Sequence, residues 1–193
     1  MDSIRQFFSL ISPLSEESWS EIGPLFVQRP LPSESFFVEE HAYAREIAYL
    51  ETGCVRAFFT NQTGKEYNKQ FFVGPSLIGA YTSLLTGKPN KIPQQALTDC
   101  VIWAANYDAL TQYFDRFHDL ERLARKIAEH YFLEKEAKEL EMALQDATER
   151  YLHFREQFPR LEQLIPQYHI ASYLSISATQ LSRIRHKLRE TSS

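Results

Sequence analysis

The chain has 193 residues, 44% hydrophobic and 24% charged, which fits one ordinary globular domain with a small appendage. Its longest apolar runs span only a few residues, too short for a membrane span, and Met1-Asp2-Ser3-Ile4-Arg5 has no signal-peptide features, so a cytoplasmic location is expected. The net charge of −4 conceals an asymmetry: residues 1–115 carry 8 basic and 13 acidic side chains, whereas residues 164–193 carry Arg183, Arg185, Lys187 and Arg189 against Glu190 alone. Affinity for nucleic acid comes from local phosphate contacts, so a cationic end on an acidic body suits it. Two cysteines, Cys54 and Cys100, are too few for an iron–sulfur cluster or a four-cysteine zinc site and read as buried thiols rather than a disulfide. No cofactor is expected.

The first residues predict short helices: Ile4, Phe7, Phe8 and Ile11 have helical spacing, and Ser12 to Glu17 offers caps and a proline before Trp19 and Ile22. From about residue 24 to 105 the texture is that of strands, expected at 25–29, 35–39, 46–50, 54–60, 66–72, 95–97 and 101–104. Asn61-Gln62-Thr63-Gly64 between two alternating segments predicts a hairpin. Short strands at regular spacing indicate an antiparallel sandwich, barrel or jelly roll. After Tyr107 the chain turns helical. Residues 115–146 lack Pro and Gly, and Leu120, Leu123, Ile127, Tyr131, Ala137, Leu140 and Leu144 recur in steps that suit a coiled-coil seam. A helix of about 30 residues spans about 45 Å, longer than the sheet domain can cover, so a homodimer of paired helices is expected. A helix from 148 to 158 follows, closed by Pro159.

The last segment carries the most chemistry. From Pro166 to Leu188, Ile170, Ala171 and Leu174 form the inner face of one helix, Ile176 plugs a turn, and Leu181, Ile184 and Leu188 line a second helix capped by Ser177. Two helices crossing at a sharp angle need apolar residues at these places and a small one at the closest approach. This is a helix-turn-helix pattern. Its turn usually holds Gly, because the backbone tends to positive φ; Ser175 there costs about 1 kcal/mol. The second helix would enter the major groove. Thr179, Gln180 and Arg183 are the candidate base contacts, Arg183 bridging guanine O6 and N7; Ser182, Arg185, His186, Lys187 and Arg189 are the candidate phosphate contacts.

This layout resembles the Crp/Fnr family of regulators. The resemblance is carried by Leu50-Glu51-Thr52-Gly53-Cys54-Val55-Arg56, by Gly64-Lys65-Glu66 leading into Gln70-Phe71-Phe72-Val73-Gly74, and by Ile170-Ala171-Ser172-Tyr173-Leu174 with Leu181-Ser182-Arg183-Ile184. It implies an α+β chain with three parts: an antiparallel, cyclic-nucleotide-binding-like β-roll (1–114), a long dimerisation helix (115–146) and a C-terminal helix-turn-helix domain (147–193). The implied function is a bacterial homodimeric transcription regulator that binds double-stranded DNA at a palindromic site, with RNA polymerase as a candidate partner. Arg183 matches the family's base-reading arginine; Thr179 stands where the family has Glu. An effector pocket would involve Gly79, Ala80, Tyr81, Gln94 and Gln95. Ligand-binding members use a Gly-Glu pair and a later Arg, whereas here Ala80 follows Gly79 and residues 89–96 hold no Arg. Lysines nearby lack the planar fork for a cyclic phosphate, which speaks against cAMP and cGMP and leaves any small-molecule effector unidentified. The wing hairpin that follows the reading helix in the family is not expected. No Gly-rich phosphate loop, HExxH pair or nucleophile elbow points to an enzyme. The alternative is an interaction protein of the same fold, using its basic end for a protein partner or for non-specific nucleic acid.

Overall fold

The structure, a computed structural model, describes residues 1–191. Two short helices lead, α1 (Asp2–Ile11) and α2 (Glu16–Ile22). Ile4, Phe8 and Ile22 are buried, and the side chain of Ser15 caps α2 by accepting from the Ser18 N–H. Eight strands follow: β1 (Val27–Leu31), β2 (Phe36–Val38), β3 (Glu46–Thr52), β4 (Cys54–Thr60), β5 (Glu66–Val73), β6 (Ser76–Ile78), β7 (Gln94–Ala96) and β8 (Cys100–Asn106), with helix α3 (Tyr81–Thr86) between β6 and β7. Every expected strand is present, its ends within two residues. The strand β6 and helix α3 are not among the expected elements: both are short, and α3 has no side-chain cap to mark its start.

The strands form two antiparallel sheets, ordered β1-β8-β3-β6 and β2-β7-β4-β5. Leu31, Ala48, Leu50, Val55, Ile78, Ala96, Cys100, Ile102 and Ala104 pack between them, the inward half of each strand's alternation. At the β3–β4 turn Gly53 has φ of 100°, and a Cβ there would stand 2.8 Å from the Asp99 carbonyl oxygen; only glycine meets both demands. The β4–β5 hairpin turns through Asn61, whose Oδ1 accepts from the N–H groups of Thr63 and Lys65. Cys54 and Cys100 are buried free thiols. Burial pushes the Cys54 thiol up to about 12 and raises that of Cys100.

The remaining helices are α4 (Tyr107–Thr111), α5 (His118–Leu144), α6 (Ala147–Gln157), α7 (Leu161–Leu164), α8 (Gln167–Tyr173) and α9 (Ala178–Thr191). The 27-residue α5 changes role along its length. Leu120 and Leu123 are buried in a cluster with Ile4, Phe8, Ile22, Tyr49, Leu77 and Phe117, and Ile127 and Tyr131 pack against it. The Tyr131 hydroxyl donates to the Leu77 carbonyl at 3.0 Å. These four residues, expected in a dimer seam, serve the chain's own core: the roll and the helical N-terminus cover the first half of the helix. Beyond Tyr131 one face of the helix packs on the later helices, with Lys138 3.9 Å over the Tyr173 ring and buried Glu141 3.1 Å from His153, while Phe132, Leu133, Leu140 and Leu144 stand 64%, 61%, 56% and 78% exposed. An Asp146–Glu149 capping box then starts α6 in a new direction. Among the described residues no helix is long and apolar enough to cross a membrane.

Candidate nucleic-acid interface

Helices α8 and α9 form the expected helix-turn-helix. Ile170, Ala171, Leu174 and Leu181 are buried, with Ile176, Ile184 and Leu188 packed against them. The turn closes through the Ile176 N–H donating to the Ala171 carbonyl at 3.0 Å. Ser175 has φ of 56°, the left-handed conformation for which glycine is the cheaper residue. The Ser177 hydroxyl accepts from the Gln180 N–H at 3.1 Å, satisfying one of the free N–H groups at the start of α9.

This packing leaves Thr179, Gln180, Ser182 and Arg183 exposed on the opening turns of α9. Farther along, His186 faces Glu190 at 3.7 Å, and Lys187 and Arg189 are exposed. Arg185 is placed differently: its Nε lies 3.5 Å from Glu162, a carboxylate that also accepts from the Tyr151 hydroxyl at 2.6 Å. Arg185 thus braces α9 against α7 and α6.

The helix-turn-helix does not stand free of the roll. Its core extends through Tyr151 and Phe154 of α6, and Phe158 just past its end, to Phe71 of β5. The Phe71 ring lies 5.0 Å from Tyr173, 6.0 Å from Phe158 and 6.3 Å from Phe154, and such ring pairs add about 0.5–1.5 kcal/mol each beyond their buried area. Beside this aromatic plug lies a polar cluster. Arg56 of β4, 5% exposed, donates from Nε and Nη2 to Gln95 Oε1 at 3.0 and 2.7 Å. Its Nη1 meets Glu66 at 2.5 Å, and Asn68 Oδ1 and His169 Nδ1 each at 3.3 Å. Asn68 Nδ2 donates to the His169 carbonyl at 2.9 Å and faces His169 Nδ1 at 3.2 Å. Ser172 completes the joint: its hydroxyl accepts from the Asn68 N–H at 2.9 Å and donates to the Glu66 carbonyl at 3.0 Å. Burial, with the Arg56 charge adding and Glu66 opposing, lowers the His169 imidazole to about 4.

A one-residue irregularity makes this joint. Ala57 pairs with Gln70 but Phe58 pairs with Asn68, so β5 carries one extra residue at Lys69. That bulge brings Asn68 and Phe71 to the same face, which an unbroken alternation would not. Nothing in the residue types of β5 signals the bulge in advance.

The five residues expected at an effector pocket divide. Gln94 points inward and its Nε2 donates to the Gly79 carbonyl at 3.0 Å, while its buried Oε1 has no partner. Ala80 is buried and Tyr81 half-exposed, its ring 6.1 Å from Tyr107. Gln95 lies on the opposite face of β7, holding Arg56, as alternation along a strand requires. The loop that would carry a phosphate-binding arginine is stitched down by buried Asn90. Its Nδ2 donates to the Glu39 and Ile92 carbonyls at 3.0 and 2.9 Å, and its backbone pairs with His41 and Ala42. Among the described residues no three His, Cys, Asp or Glu side chains converge as a metal set would.

No family model matches the sequence, and no curated protein matches it. Solved structures do. The chain is similar to FixK2 from Bradyrhizobium japonicum, with a TM-score of 0.77 and 16% identity over 86% of each chain. It is similar to the c-di-GMP responsive global regulator CLP of Xanthomonas campestris, with a TM-score of 0.71 and 15% identity over 92% of this chain and 93% of that one. A Eubacterium rectale protein assigned to the crp/fnr family of transcriptional regulators matches with a TM-score of 0.72 and 10% identity, over 92% and 85%. The chain has the fold of the Crp/Fnr regulators, from roll to C-terminal helices.

Proposed function

We propose that the chain is a DNA-binding transcription regulator, not an enzyme, that acts as a homodimer on a palindromic site. The observation that carries this reading is the opening of α9, where Thr179, Gln180 and Arg183 stand exposed on a helix whose other face is fixed by buried Leu181 and the Ser177 cap. Arg183 reads guanine, with Thr179 and Gln180 on neighbouring bases, while Ser182, His186, Lys187 and Arg189 contact phosphates. Arg185 leaves the phosphate set because Glu162 engages it. The working parts are the roll (1–114), the long helix (115–146) and the reading head (147–193). A second copy covers the exposed Phe132, Leu133, Leu140 and Leu144, so that two reading helices meet half-sites about one turn of DNA apart. Ala80 and the Asn90-stitched loop speak against cAMP and cGMP as effectors and leave the effector unidentified.

Selection from a random DNA pool tests this. A palindrome with one-turn spacing is expected, and a flat profile would refute it in favour of a non-specific interaction protein. Arg183→Ala should erase the enriched sequence, whereas Lys187→Ala should weaken binding to every sequence alike. Equal losses of both kinds in both variants would overturn the assigned roles.

A further inference from the structure

The joint between head and roll has two properties that a plain packing contact lacks. First, it covers an edge. In the order β2-β7-β4-β5 the strand β5 is outermost, so its outward N–H and C=O groups have no strand to pair with. Ser172 satisfies one of each, accepting from Asn68 N–H and donating to Glu66 C=O. Second, the joint needs an acceptor at His169 Nδ1. Arg56 Nη1 at 3.3 Å can only donate, and Asn68 Nδ2 at 3.2 Å is also a donor, since Asn68 Oδ1 already accepts from Arg56. The ring is therefore the neutral tautomer with its hydrogen on Nε2. A proton on Nδ1 would put three donors together and a cation against the Arg56 guanidinium.

We propose that Arg56, Asn68, His169 and Ser172 form a proton-sensitive latch, which holds the helical head on the β5 edge while His169 is neutral and loosens when Nδ1 takes a proton.

The groups facing His169 from each packed element are Arg56 on β4, Glu66 on β5 and the neighbouring Tyr168 ring at 4.1 Å on α8. Glu66 opposes the effect but sits nearer Arg56, with which it is paired at 2.5 Å. The direction follows from linkage. Docking favours the unprotonated ring, so the hold is complete above the ordinary imidazole value of 6.5 and is lost progressively as pH falls toward about 4. Between pH 7 and pH 5 the ratio of docked to undocked head should fall about 20-fold. The inference concerns the joint alone and holds whatever α9 binds.

The Asn68 amide hydrogen is the reporter, because its acceptor belongs to the head. Hydrogen exchange on the full chain, corrected for the intrinsic rate at each pH, should show Asn68 protection about 20-fold lower at pH 5 than at pH 7. Ile102, on the central strand β8, should keep its protection. In His169→Asn, whose Oδ1 replaces the Nδ1 acceptor and does not titrate, Asn68 protection should be the same at both pH values. Flat protection in the natural chain, or an equal fall in His169→Asn, would overturn the latch. Should that variant fail to fold, the natural chain still decides: Asn68 must fall while Ile102 does not, and a joint fall of both also overturns it.

Discussion

Replacing Phe71 by Ala should separate head from roll without emptying the roll. Phe71 is 1% exposed and belongs to the head's cluster rather than to the layer between the two sheets. Truncating a buried Phe to Ala costs about 3–5 kcal/mol, and here the lost contacts are to Tyr173, Phe158 and Phe154, all on the head side of the joint. For a chain of this length that is about 6–20 °C in melting temperature. Trp19 and Trp103 lie in α2 and β8, so tryptophan fluorescence reports the roll, while far-ultraviolet circular dichroism also reports the head helices. In urea the two signals should coincide for the natural chain and split for Phe71→Ala, with the circular dichroism change beginning at lower urea. Coincident transitions in the variant, or a loss below about 1 kcal/mol, would refute the assignment of Phe71 to the joint.

Ser175→Gly should raise stability by roughly 0.5–1 kcal/mol by relieving a left-handed residue at φ 56°; a fall in the urea midpoint would contradict the turn geometry. If the far half of α5 is the face between two copies, the double variant Phe132→Asp, Leu140→Asp should sediment as a monomer where the natural chain sediments as a dimer. A natural chain that is already monomeric at micromolar concentration would refute the pairing. Cys54 and Cys100 should resist thiol reagents at pH 8 until the roll unfolds, because burial raises both thiols; prompt labelling of either would contradict that burial.

Local signals made much of this chain readable. The β4–β5 hairpin showed in two alternating segments around Asn61 and Gly64, and the helix-turn-helix in packing positions from Ile170 to Leu188. The positive φ at Ser175 was foreseeable from the turn itself. The two uses of α5 were not separable, because Leu120, Leu123, Ile127 and Tyr131 have the same spacing whether they meet a sheet or a second helix. Alternation along β7 could have placed Gln94 inward and Gln95 outward. The joint lay beyond sequence reasoning for a different reason. Asn68 and Ser172 are 104 positions apart, and the Lys69 bulge that aims Asn68 at the head has no signature in composition. Arg185 likewise looks like any basic residue on a reading helix until Glu162 is seen beside it.

The Ser172 hydroxyl at the rim of β5 also bears on how the chain is made. Ribosomal synthesis delivers the roll first, and the Asn68 N–H and Glu66 C=O emerge on an outermost strand about a hundred residues before their partner. During that interval the strand is a template to which another nascent or misfolded chain can add, with Phe71 as an apolar handle. Arrival of α8 ends that exposure. The helices that follow the sheet in the chain therefore close an edge that the sheet cannot close for itself.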